Sequence, residues 1–149
     1  MLDAQLPQTF TELTPEDQEF LNSAREHGKA VITPESLEKL STVAGKVGTA
    51  KAIYEARLWE KDPQYIDVIA VMFGDAFNQE LGTHWAVVSD DYGEELIIKY
   101  PGIKIMAAPF SMIRKRIERN EEMDLIYMFN WTCEQLENMR ESEEYASDE

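Results

Sequence analysis

The chain has 149 residues, of which 44 % are hydrophobic and 10 % aromatic. That is enough apolar side chain for one domain with a real core, without help from disulfides or metals. Asp and Glu number 29 against 14 Lys and Arg, a net charge of −15, which argues against binding nucleic acid or an anionic membrane and favours a basic partner.

A single cysteine, Cys133, excludes an internal disulfide and any multi-cysteine zinc site. Met1-Leu-Asp-Ala-Gln-Leu-Pro lacks the basic start and apolar run of an export signal. No apolar stretch reaches about 18 residues, the length of a membrane span. These features predict a cytoplasmic protein.

Residues 1–13 read as an irregular lead-in anchored by Leu6, Phe10 and Leu13. Thr14-Pro15-Glu16-Asp17 is a helix start: a hydroxyl to cap free N–H groups, a proline in the first turn and acids facing the helix dipole. Phe20, Leu21 and Ala24 then share a face, and Gly28 after His27 is a stop signal. The same device recurs at Thr33-Pro34-Glu35-Ser36, with Leu37, Leu40 and Ala44 at helical spacing. Gly45 and Gly48 sit within this region and leave its continuity open, and a further helical stretch follows over residues 50–59.

Asp62-Pro63 opens the most strongly patterned helix. Ile66, Ile69, Ala70, Phe73, Phe77 and Leu81 recur every three or four residues, and Val68, Val71 and Met72 widen the apolar surface. A central, mostly buried helix ending at Gly82 is expected. The interior Gly74, which costs about 1 kcal/mol relative to alanine, points to a close crossing by another backbone.

From Thr83 the period changes to two. Residues 84–88 and 96–100 read as strands joined by an Asp90-Asp91-Tyr92-Gly93 turn, and residues 103–106 as a third strand after Pro101-Gly102. Connections this short imply an antiparallel three-stranded meander covered on one face by helices. A helix from Pro109 carries Arg114, Lys115, Arg116 and Arg119 outward. A final helix over about residues 122–139 places Leu125, Phe129, Cys133 and Leu136 on one stripe, widened by Met128, Trp131 and Met139. The expectation is one α+β domain over residues 1–140: a helical N-terminal half, a meander and two C-terminal helices. Residues 141–149 read as a disordered acidic tail.

Phe73-Gly74-Asp75-Ala76-Phe77, Glu80-Leu81-Gly82, Trp85, Asp91-Tyr92-Gly93, Pro109 and Ile113-Arg114-Lys115-Arg116-Ile117 follow in order. Over residues 66–125 this resembles the uncharacterised bacterial family numbered three thousand eight hundred and six in the domain-of-unknown-function series. The resemblance implies a small helix-plus-hairpin domain and brings no assigned reaction or catalytic residue.

The candidate chemistry is thin. Asp90, Asp91, Glu94 and Glu95 bracket a turn but lack the offsets of a calcium loop. His27 and His84 have no second ligand at metal spacing. Cys133 on an apolar stripe reads as a packed hydrophobe. Gly45-Lys46-Val47-Gly48-Thr49 lacks the strand and spacing of a phosphate loop. The cations at 114–119 are interleaved with Glu118, Glu121, Glu122 and Asp124, so bridges to the protein's own acids outweigh an RNA or phosphate contact.

No cofactor or metal is expected. The favoured function is a non-enzymatic, protein-binding one, with an immunity protein that neutralises a basic toxin as its sharpest form. Binding is assigned to Asp90, Asp91 and Glu94 around an apolar anchor, Tyr92. The alternative is a hydrolase or small-ligand domain with a site near His84 and Trp85.

Overall fold

A computed structural model describes residues 8–142. Leu6 of the lead-in and most of the acidic tail lie outside the described residues. Ten elements follow one another: β1 (Thr9–Thr11), α1 (Pro15–Lys29), α2 (Pro34–Leu37), α3 (Val43–Glu55), α4 (Gln64–Leu81), β2 (His84–Asp90), β3 (Gly93–Lys99), β4 (Met106–Ala107), α5 (Pro109–Glu118) and α6 (Leu125–Arg140). The class is α+β, as the periodicities imply.

Local sequence explains the helix starts. At α1 the Asp17 N–H donates to Thr14 Oγ1 at 3.1 Å while the Thr14 N–H donates to Asp17 Oδ2 at 3.0 Å, a reciprocal cap that satisfies two otherwise orphaned donors. The helix continues through Gly28 to Lys29, slightly past the stop signal. The helix expected from Thr33 is shorter than its spacing implies. It ends at Leu37 and tightens into a 3-10 turn over Glu38–Ser41. Thr42 is extended and accepts the Gly45 N–H at 2.9 Å, so Gly45 and Gly48 fall inside a new helix, α3, rather than in a break. α6 begins later than expected because Asp124 caps it, accepting the Tyr127 N–H at 3.1 Å.

The central helix is α4. Val68 through Gly74, Ala76 and Phe77 are all buried, and Phe73, Phe77 and Phe129 of α6 meet with ring centroids 4.8–5.7 Å apart. Such aromatic contacts add about 0.5–1.5 kcal/mol each beyond the area they bury.

The sheet has four antiparallel strands in the order β1-β2-β3-β4, not three. The extra strand is β1, which pairs Phe10 with Val88 inside the stretch read as irregular. Three residues are too few for alternation to show in a sequence. The last strand is also displaced, from residues 103–106 to Met106–Ala107. The Tyr100 N–H donates to the Ile105 carbonyl at 3.3 Å, which closes the Pro101-Gly102 turn and sends the Ile105 side chain into the core, where it is 2 % exposed.

The two faces of the sheet differ. Trp85 and Ile98, directly opposite in register, join the main core with the helices. Ala86, Val88 and Ile97 form a smaller cluster on the other face, flanked by Phe10, Met106 and Ala108. Among the described residues no helix is long and apolar enough to cross a membrane.

Candidate functional site

The β2–β3 hairpin ends in the two-residue turn Asp91-Tyr92, with Asp90 paired to Gly93. The turn is locked locally. Asp90 Oδ1 accepts the Tyr92 N–H at 2.8 Å, the side-chain-to-backbone bond that makes aspartate a turn residue. Gly93 has φ +126°, a conformation strained for any residue with a Cβ. On the flank, Ser89 Oγ donates to Glu94 Oε2 at 3.2 Å. The tip therefore has a fixed backbone.

Its surface is unusual. Tyr92 is 86 % exposed, more than any other large hydrophobic side chain described. Asp91 and Glu94 are exposed beside it and Asp90 is half-buried. None of the three pairs with a cation among the described residues. The structure brings all four predicted binding residues to one hairpin tip.

It does not bring His84 and Trp85 together. They are neighbours on β2, so their side chains leave opposite faces of the sheet. His84 is exposed, whereas Trp85 is 8 % exposed and lies among the helices. The Trp85 indole N–H donates to Asp75 Oδ1 at 2.9 Å. Asp75 in turn accepts from Arg25 Nε and Nη2, both at 2.8 Å. This hydrogen bonding, more than the charge alone, holds the Arg25 guanidinium above its ordinary pKa, against an opposing effect of burial. Three elements, α1, α4 and β2, are thereby tied at one carboxylate.

The other candidates resolve into structure. Arg114 Nη2 donates to Asp67 at 2.8 Å, Arg119 lies 3.6 Å from Glu121, and Arg116 donates to the Met112 carbonyl. Most of the basic cluster is thus engaged within the chain. His27 Nε2 stands 2.9 Å from Asp62 Oδ2, with its ring 4.7 Å from that of Tyr65. Burial, reinforced by Glu80 and Glu137, pushes the Cys133 thiol up to about 12, the reverse of what a nucleophile requires. Among the described residues no group of three or more His, Cys, Asp or Glu could hold a metal ion.

One surface was misread in the sequence. Trp131, placed on the buried stripe of the last helix, is 52 % exposed, and Tyr127 one turn earlier is 67 % exposed. The buried positions of α6 are Leu125, Met128, Phe129, Thr132 and Leu136. Residues 127 and 131 fall on the opposite arc of a 3.6-residue period, so the helical wheel alone held the signal.

Comparison with known families gives a match to "Domain of unknown function (DUF3806)" over residues 46–129. The chain belongs to this family. The DUF3806 segment runs from α3 into α6 and includes α4 and the whole hairpin, so the acidic tip is part of the family's domain. No curated protein matches the chain. Among solved structures, a crystal structure of a protein from Bacteroides thetaiotaomicron superposes with a TM-score of 0.64 at 11 % identity, covering 89 % of this chain and 49 % of that one. At that identity the likeness is one of fold, and the DUF3806 chain spans about half the length of that neighbour.

Proposed function

We propose that this DUF3806 protein is a non-enzymatic, cytoplasmic binding module for a basic protein, engaged through the β2–β3 hairpin tip. The observation that carries the reading is Tyr92, 86 % exposed on a locked turn and set among carboxylates that have no cationic partner among the described residues. An aromatic anchor ringed by charge is the anatomy of an interface hot spot. The net charge of −15 adds long-range steering toward a cationic surface. Neutralisation of a basic toxin is the role that best unites this acidity with an exposed aromatic anchor at the tip. The alternative small-ligand site near His84 and Trp85 is weakened by their placement on opposite faces of β2.

The test is a tagged pull-down from the encoding bacterium with wild type and with Asp90, Asp91, Tyr92 and Glu94 all changed to alanine. Recovery of one basic protein by wild type alone, thinning as salt rises, supports the reading. Equal recovery by both proteins removes the hairpin tip from the interface. Mixing the recovered protein with this one in a toxicity assay then tests neutralisation.

A further inference from the structure

Between α1, the 3-10 turn before α3, α3 itself and α4 lies a cavity of about 130 Å³ lined by Arg25, Lys29, Leu40, Lys46, Met72 and Asp75. Three of these six side chains are cationic, in a chain where acids outnumber bases 29 to 14. Chance placement on so acidic a protein would favour carboxylates.

The three cations differ in how far they are already neutralised. Arg25 is clamped on Asp75 and also donates to Asn22 Oδ1 at 2.7 Å, so its charge is largely offset and its position fixed. Lys29 reaches Glu26 at 3.0 Å, but both side chains are more than half exposed, and such a pair exchanges readily for a better partner. Among the described residues Lys46 Nζ meets only the neutral Gln79 Oε1, at 2.6 Å, and no carboxylate. The lining of the cavity thus carries three positive groups and one carboxylate, Asp75, with Glu26 reaching Lys29 from outside it. Leu40 and the buried Met72 supply an apolar wall, where a lowered local dielectric strengthens attraction to an anion.

We propose that this cavity binds a small doubly charged oxyanion, the chemistry shared by a phosphate group and a short dicarboxylate. Lys46 of α3 and Lys29 of α1 neutralise the anion, and Arg25, braced by Asp75, holds α1 and with it Lys29 against α4. The volume of about 130 Å³ suits a group of phosphate size. The site is separate from the hairpin tip, so either proposal can fail without the other.

The test titrates the full chain with inorganic phosphate and, separately, with succinate, by calorimetry and by amide chemical shifts. Acetate and chloride at matched ionic strength serve as monoanion controls. The expected result is saturable binding of at least one dianion with a Kd of about 1 mM or tighter, with shifts centred on Lys46 and Met72. Which of the two saturates distinguishes the sources. Lys46→Gln and Lys29→Gln should each weaken binding about tenfold without lowering Tm, and Lys46→Arg should retain it. A linear, unsaturated response to both dianions up to about 20 mM, or affinity unchanged in Lys46→Gln, overturns the proposal.

Discussion

The indole of Trp85 occupies the space that a side chain at Gly74 would need. A Cβ built on Gly74 would stand 2.2 Å from Trp85 Cζ2 and 2.3 Å from Cη2. The close crossing implied by an interior glycine is therefore real, but it is made by an aromatic ring rather than by a second backbone. Gly74→Ala should destabilise the fold by about 1–3 kcal/mol despite the gain in helix propensity, because a rigid buried ring must move. Among the described residues no other part of the chain comes within 4 Å of the Cβ position of Gly48, inside α3. Gly48→Ala should stabilise by about 0.5–1 kcal/mol. Urea denaturation of both variants checks the pair, and equal effects of the same sign would contradict the packing account.

The same indole is held at its other end. Asp75 accepts one bond from Trp85 and two from Arg25, and its side chain is only 19 % exposed. Asp75→Ala should cost about 2–3 kcal/mol, since it takes the acceptor from the indole N–H and from Arg25 Nε and Nη2, leaving the guanidinium only its bond to Asn22. Arg25→Ala, with a third of that side chain in solvent, should cost about 1 kcal/mol after allowance for screening. In a double-mutant cycle the two changes should couple by about 1 kcal/mol. Strict additivity would mean that the clamp contributes no pairwise stability.

Much of this architecture was legible because it is local. The cap of α1 is written in Thr14 and Asp17, the burial of α4 in its period, and the hairpin in Asp90 and Gly93. What escaped the sequence depends on partners distant in the chain. Thr9–Thr11 is a strand only because Val87–Ser89 offers it an edge. The cationic cavity gathers Arg25, Lys46 and Asp75 from three helices, and no spacing rule links them. That Asp90, Asp91, Tyr92 and Glu94 share one hairpin tip was within reach because a turn needs only its own four or five residues.

The edge strand supplies its own test. Phe10 packs on the outer cluster of Ala86, Val88 and Ile97, and Lys99 Nζ lies 5.3 Å from its ring centroid. Phe10→Ala should destabilise the domain by about 1–2 kcal/mol, less than a core phenylalanine because the ring is half-buried. Tyr92→Ala, an aromatic loss at a fully solvated tip, should stay within about 0.5 kcal/mol of wild type. Thermal unfolding of the two variants compares an aromatic that holds the sheet with one that does not. A Phe10 variant as stable as wild type would show that β1 adds nothing to the sheet.

Cys133 gives a pH-dependent prediction with a defined sign. Its thiol is raised from 9.0 to about 12, first by burial and then by the negative charges of Glu80 and Glu137. The folded protein therefore holds this proton more tightly than the unfolded chain does. The associated stability is fully present below about pH 9, the ordinary thiol value, and is lost as pH rises from there toward about 12. Tyr100, raised by burial and by its bond to Glu137, acts in the same direction from its own ordinary value of 10.0 upward. Removing the thiol isolates the first contribution. Stability should fall less steeply between about pH 8 and pH 10 in Cys133→Ala than in wild type, by about 1 kcal/mol or less after discounting for solvent around a half-buried group. Alkylation by iodoacetamide at about pH 8 should also run more than a hundredfold slower than for a free thiol, since the reactive thiolate is scarce in the fold. Identical pH slopes together with fast alkylation would mean that Cys133 sits in an environment no less polar than water.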